Sequence, residues 1–297
     1  MKGVRRAPMR RAARRILVPL DFAPAAQRVL ERVAYIGASG NCEIHLLHVL
    51  SPQVAAETSK RADLALGRAR TLLAEKLGAR RVLSQVRSGA PYVQIIQRAR
   101  ELGAELIVMG RNRPPGVLGT TLTRVVHLSE IPTLVVRRRA RAPYRHPLVA
   151  VEIDPSARSL IELTSELLGG ADPEHRIVRV LHAYRAAFAG WHRTAADESG
   201  AFYVRQARQA AERSLAQLLA ALGPLPCRLE AIVRNGDPRG VIAREANRMR
   251  ADLVAVGTHG RGGVAHVLLG SIAEWAVANV SRDVLIARPV RFTFVPP

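Results

Sequence analysis

The 297-residue chain is 48% hydrophobic and carries 45 Lys and Arg against 24 Asp and Glu, a formal charge of +21. That length suits two ordinary domains with substantial cores; no apolar run approaches a membrane span, and no uninterrupted apolar stretch marks a secretory leader, so membrane insertion is not expected. Two isolated cysteines, Cys42 and Cys227, argue against a disulfide framework or a zinc site and fit a reducing, cytoplasmic compartment.

Residues 1–15 form a basic tail carrying Arg5, Arg6, Arg10, Arg11, Arg14 and Arg15 with no acid. A second arginine cluster, Arg137 to Arg139 with Arg141, follows the last apolar stretch of the first half. Charge alone would attract nucleic acid or an anionic surface to such clusters, but the simpler expectation is a solvated basic surface.

From residue 16 the pattern is strand, turn, helix. Ile16 to Leu20 is a short apolar run followed by Asp21 and Pro24, and helical periodicity begins after it. A second strand ends at His48 and Val49, and a long helical stretch follows. Val86 to Gly89 then reads as a strand end, with Pro91 placed to open a helix that buries Tyr92, Ile96 and Ala99. The next strand ends at Gly110, a loop runs to Gly119 and Thr120, and Thr133 to Val136 closes the half.

The same series is then written again. Ile16–Glu31 lies over Pro147–Glu162 without a gap, so Glu152 stands at the place of Asp21. His182 and Ala183 correspond to His48 and Val49, and Gly236 with Pro238 to Gly89 with Pro91. The separation from Gly89 to Gly110 equals that from Gly236 to Gly257, and Ile242, Ala246 and Met249 mark the buried face of the equivalent helix. A repeated β-α-β-α series implies a parallel sheet covered by helices in each half, with the boundary near Arg139 to His146. Two features break the symmetry. The second half has an insertion after His182, which includes Phe188, Trp191, His192 and Phe202 and reads as a packing extension.

The other break is the loop after the fourth strand. In the second half Val256 and Gly257 end an apolar strand, and the spacing Gly257, two residues, Gly260, nine residues, Gly270-Ser271 leads into a helix that runs through Ile272, Ala273 and Trp275. Glycines permit positive φ and remove side chains that would hold a ligand off the amides. With the helix N-terminus they make an anion site that needs no catalytic residue. Arg261 is a cation within reach of such an anion. The pair Ser271 and Glu274 also fits an ordinary capping box. In the first half the loop between Gly110 and Gly119 is shorter, Arg113 replaces the second glycine, and Pro114 and Pro115 remove amide donors.

Taken together, Asp21, the His48-Val49 pair and the full glycine-serine spacing of the second half resemble the universal stress protein family, and specifically its tandem members. The resemblance covers nearly everything from Ile16 to Pro289 and divides the chain into two domains, 16–140 and 146–297. It implies an α/β fold of two doubly wound domains, each a five-stranded parallel sheet with helices on both faces, related to the adenine nucleotide alpha hydrolases. Members with the complete signature bind ATP; a second branch lacks it. Carried over by position, Gly257, Gly260, Gly270, Ser271 and Ile272 would surround phosphates and ribose. Val151, Glu152, Ala183 and Val256 would border adenine and ribose, and Mg²⁺ would ride with the nucleotide near Ser271. Asp21, Val49, Gly110, Gly119 and Thr120 would be vestiges in a first half that is structural or interaction-only. The resemblance further implies that Thr133–Val136 and Val284–Ala287 pair within the chain as a pseudo-dimer of the two domains, and it leaves a homodimer open.

Two other readings compete with a regulatory ATP-binding protein. Gly260 to Ala265 formally fits G-x-G-x-x-A, the fingerprint of a dinucleotide enzyme, but it lies in the fourth β-α unit of its half and no acidic residue follows at the expected place. A non-nucleotide interaction module is the other alternative. No Walker lysine, G-x-S-x-G elbow or H-E-x-x-H pair is present, so no catalytic residue is assigned.

Overall fold

The computed structural model describes residues 14–39, 41–52, 56–78, 81–111, 120–168, 176–185, 198–258 and 270–288. In the first half β1 (Arg14–Pro19), α1 (Ala25–Ser39), β2 (Cys42–Leu50), α2 (Ala56–Leu77), β3 (Val82–Ser88), α3 (Pro91–Leu102), β4 (Leu106–Gly110), α4 (Thr120–Leu128) and β5 (Thr133–Val136) follow in order. The second half repeats them as β6 (Pro147–Ala150), α5 (Ser156–Glu166), β7 (Ile177–Tyr184), α6 (Glu198–Ala220), β8 (Arg228–Asn235), α7 (Pro238–Arg248), β9 (Leu253–Gly257), α8 (Ser271–Asn279) and β10 (Asp283–Ala287).

The strands form one ten-stranded sheet in the order β3-β2-β1-β4-β5-β10-β9-β6-β7-β8. Within each half the neighbouring strands run parallel; the seam between β5 and β10 is antiparallel, with Leu134 opposite Leu285. The expected pairing of the two closing strands is therefore observed. Because both faces of the sheet are covered, its central strands are apolar throughout instead of alternating with polar residues. Ile16 and Val18 join a core beneath α1, α2, α5 and α6, while Leu17, one residue away, joins the core beneath α3, α4, α7 and α8. Each core runs across the seam.

Local chemistry explains the repeated turns. Gly89 and Gly236 sit at φ 138° and 136°, a region open at little cost only to glycine, and their amides donate to Leu50 and Tyr184 O, both at 2.9 Å. Pro91 and Pro238 then open α3 and α7. On those helices Ile96, Ala99, Ile242 and Ala246 are buried as expected, whereas Tyr92 and Met249 are half-buried and Ile95 and Val241 supply the missing core contacts.

Arg137 departs from the solvated surface expected of the second arginine cluster. Arg137 reaches across the seam to carbonyls at the end of α8, bonding Val277 O and, at 3.4 Å, Ala276 O. Arg288, which follows β10 as Arg137 follows β5, mirrors it and bonds His127 O and, at 3.3 Å, Val126 O at the end of α4. Each half thus caps the other's last helix with a guanidinium placed at the negative end of its dipole. Burial lowers both arginines' affinity for their protons, taking Arg137 to about 10, where neighbouring Arg111 adds to the effect. Arg138, Arg139 and Arg141 do fit that expectation; all three are exposed, and Arg139 pairs with Glu31 at 2.7 Å.

Between the halves a buried polar hub fixes the connection. Asp283 is fully buried, accepting from Tyr144 Oη at 2.6 Å and from the Arg137 and Arg138 amides at 2.8 and 3.1 Å, with Arg32 Nε at 3.3 Å. The Arg32 guanidinium also lies over the Tyr144 ring, 3.8 Å from its centre. Burial first, and then the Asp283 charge, raise the Tyr144 hydroxyl well above its ordinary range, so it serves as a donor.

Candidate functional site

A cleft opens at the carboxyl ends of β6, β7 and β9, where the second half's sheet changes strand order, the place where open α/β sheets bind ligands. It measures about 720 Å³ with its open mouth included. Val151, Glu152, Ala183, Val256, Gly257, Gly270, Ser271 and Ile272 all line it, so eight of the residues singled out from sequence meet there. Gly260 and Arg261 lie outside the described residues, as do Phe188, Trp191 and His192 of the insertion.

Short-range bonds set the geometry of the cleft's edge. The Nδ1–H of His182, at the end of β7, donates to Val151 O at 3.0 Å, and the Val151 amide donates to Leu181 O at 2.9 Å. The histidine is thereby a tie that holds the chain beyond β6, and with it Glu152, at the mouth. Asp154 accepts from the Ser156 amide at 2.7 Å and from its hydroxyl at 2.5 Å, fixing the first turn of α5. Asp154, Ser156, Ala157 and Leu160 also line the cleft, and these the sequence reading missed. The Asp-Pro-Ser turn at 154–156, aligned under Ala23 to Ala25, carried the signal.

At the opposite wall Gly270 is the N-cap of α8 at φ −58° and ψ 143°, and no side chain caps the helix. Two expectations change here. Ser271 is the first helical residue, so it does not form the capping box with Glu274; it is exposed and faces the cleft. Nor do Gly257 and Gly270 take positive φ. Their contribution is the missing side chain. The first-turn amides of α8 therefore point toward the cleft with the positive end of the helix dipole behind them.

A polar recess adjoins the cleft and shares Glu152, Ala183, Ser271 and Ile272 with it. Its rim carries Asp237, which caps α7 through the Arg239 and Gly240 amides at 3.1 and 3.4 Å and pairs with Arg185. Desolvation pushes the Asp237 carboxyl up, but the Gly240 amide and Arg185 outweigh it and hold it below the usual range.

The first half has an equivalent cleft, lined by Asp21, His48, Val49, Gly110, Arg111 and Thr121 among others. His48 Nδ1–H donates to Leu20 O at 2.6 Å, repeating the His182 tie. Three features differ from the second half. Asp21 accepts from the Ala23 amide at 3.1 Å, turning its carboxylate back on its own loop. Phe22 takes φ 56°, a rare conformation for a bulky residue, and its ring lies 4.6 Å from that of His48. Arg111, 5% exposed, occupies the position of Thr258. Gly119 lies outside the described residues; Thr120 begins α4.

Cys42 is buried and Cys227 half-buried, and burial raises both thiols, the pattern of small packing residues. Among the described residues no group of three or more His, Cys, Asp or Glu could hold a metal ion, and no helix is long and apolar enough to cross a membrane.

Comparison with known proteins covers nearly the whole chain. The model of the universal stress protein family matches twice, at residues 12–137 and 143–288. The chain is 26% identical over 146 residues, 49% of its own length and 95% of the relative's, to universal stress protein A homolog 2 of Coxiella burnetii. Among solved structures it is similar to a universal stress protein of Archaeoglobus fulgidus, at 20% identity and TM-score 0.63, with 92% of this chain and 98% of that one covered. A protein of Pseudomonas aeruginosa aligns at 20% identity and TM-score 0.68 over 94% of each chain.

Proposed function

The chain belongs to the universal stress protein family, and from that premise we propose that it is a regulatory adenine-nucleotide-binding protein whose second half takes ATP while its first half serves structure or interaction. The observation that carries this reading is the convergence of an apolar slot, a carboxylate and an uncapped helix N-terminus on one cleft. Val151, Leu181, Ala183, Val256 and Ile242 supply flat apolar walls for a purine, and Glu152 is the acceptor at its edge. The amides that open α8, with the Ser271 hydroxyl, face the place of the phosphates. Mg²⁺ would accompany ATP through the phosphates and Ser271, since no acidic cluster among the described residues is built to hold it.

Binding without turnover is the proposed role: of the two carboxylates that line the cleft, Asp154 is engaged by the Ser156 amide and hydroxyl and Glu152 is given to the nucleotide as acceptor. Protein partners would then read the occupied state, in the cytoplasm. Equilibrium dialysis of the purified chain against labelled ATP should saturate at about one site per chain, and Gly270→Val should weaken binding by roughly 100-fold or more, about 3 kcal/mol, by driving a branched side chain into the cleft. Absence of saturable binding rejects the reading. Two sites per chain reject a silent first half, and preference for NAD over ATP favours a dinucleotide enzyme.

A further inference from the structure

The helix that opens onto the second-half cleft is held at its other end by the first half. Arg111, buried in the first-half cleft, sends Nη1 across the seam to Val277 O at 2.9 Å and Ala278 O at 2.8 Å, the last carbonyls of α8. Its own carbonyl is fixed by Arg28 Nη2 at 3.2 Å, which ties it to α1. Arg137 bonds the same turn of α8. The mirror arrangement lacks this element: the residue equivalent to Arg111 is Thr258, which has no guanidinium to give to α4.

A nine-residue helix is short and stiff, about 14 Å from end to end. Fixing its last carbonyls fixes the direction in which its first amides point. Positive charge at the C-terminal end also adds to the potential felt by an anion at the N-terminal end, since the buried Ala273, Ala276 and Val277 of α8 lie between them. Both effects act on a ligand's negative charge and neither touches a purine ring seated between β6 and β7.

We infer that Arg111 is a positioning residue for the nucleotide cleft of the second half, so that the first half sets its neighbour's affinity for phosphates through α8. The inference rests on the ATP reading above and adds a role for the first half that does not require a ligand there. It also gives the covalent tandem a purpose: the competent site is built from one half and aimed by the other.

The test compares ATP with adenosine, which lacks the phosphates, on the full chain. Arg111→Met should weaken ATP about five- to tenfold, within the usual range of coupling between sites, while adenosine changes less than about twofold. Arg111→Lys keeps a charge and should show the same ATP-only loss at about two- to threefold. Should Arg111→Met fail to fold, that variant carries the comparison. Arg288→Met, which removes the mirror contact to α4, should leave ATP affinity unchanged. Equal losses for ATP and adenosine, or an equal loss in Arg288→Met, would mean general loosening of the seam and overturn the inference. Unchanged ATP affinity in Arg111→Met would overturn it while the nucleotide reading stands. A wild-type chain that binds no ATP removes both.

Discussion

Two glycines at equivalent places, Gly110 at the end of β4 and Gly257 at the end of β9, stand in different surroundings. A Cβ on Gly110 would meet Ala25 Cβ at 2.8 Å and Val29 Cγ2 at 3.0 Å, whereas among the described residues one on Gly257 meets nothing within 4 Å. In the first half α1 has closed onto the sheet and contributes no residue to the cleft wall; in the second, Ser156, Ala157 and Leu160 of α5 stand back and line it. The same residue type is thus a packing glycine in one half and an opening in the other. Duplication preserved the strand order and the histidine tie but not the space they frame, and this asymmetry is independent of the phosphate loop.

The largest expected effect concerns the seam that joins the two regions. Asp283 has Pro132 as its counterpart in the first half, so the hub it forms with Arg32, Tyr144 and two amides exists once. Asp283→Ala leaves a buried guanidinium, a phenol and two amides without their acceptor, which should cost about 3–5 kcal/mol and lower the thermal midpoint by about 10 °C. A loss below about 1 kcal/mol would show that β5–β10 pairing and the shared cores hold the halves together without it.

Next in size is the glycine pair itself. Gly110→Ala should destabilise the chain by about 1–3 kcal/mol through overpacking against α1. Gly257→Ala should leave the unfolding free energy within about 0.5 kcal/mol of wild type and weaken ATP several-fold, because the new methyl projects into open cleft. Denaturant titration paired with ATP dialysis separates the two. Equal destabilisation by both substitutions would erase the contrast.

How far the sequence reveals this depends on the distance over which each property is decided. The repeat and the parallel halves follow from strand patterns and spacing, whereas the pairing of the closing strands and the eight lining residues follow from the family resemblance carried over by position. Arg137 could not be read correctly, because its burial depends on carbonyls at Ala276 and Val277 that only the seam brings near. The S-x-x-E pattern at Ser271 misleads for a local reason: Gly270 takes the N-cap place, which moves the serine one residue into the helix. Gly110 and Gly257 look alike in sequence since the difference between them is the approach of another helix.

The smallest effect compares two ion-pair clusters with swapped polarity. Arg87 and Arg234 occupy equivalent places on β3 and β8, but Arg98 and Glu101 on α3 become Glu245 and Arg248 on α7. Arg87 bonds Glu101 Oε1 at 3.0 Å; Arg234 and Arg248 approach Glu245 at 2.9 and 2.7 Å. Hydrogen bonding to Arg87 holds the Glu101 carboxyl below its usual range; for Glu245, burial pushes upward but Arg248 and then Arg234 outweigh it, again leaving it low. A carboxylate whose folded pKa is depressed contributes stability that is complete above its unfolded value of about 4.3 and is lost as pH falls through the folded one. Side-chain exposure, 49% for Glu101 against 9% for Glu245, decides the ranking, since water screens the first pair. Glu245→Gln should therefore cost about 1–2 kcal/mol at pH 7 and Glu101→Gln less than about 0.5. The gap between wild type and Glu245→Gln should narrow as pH falls from about 5 through the lowered pKa of the native carboxylate, which then gains its proton and comes to resemble the amide. A gap that stayed constant over that range would mean the side chain acts through packing, and the swapped clusters would then differ in shape rather than in charge.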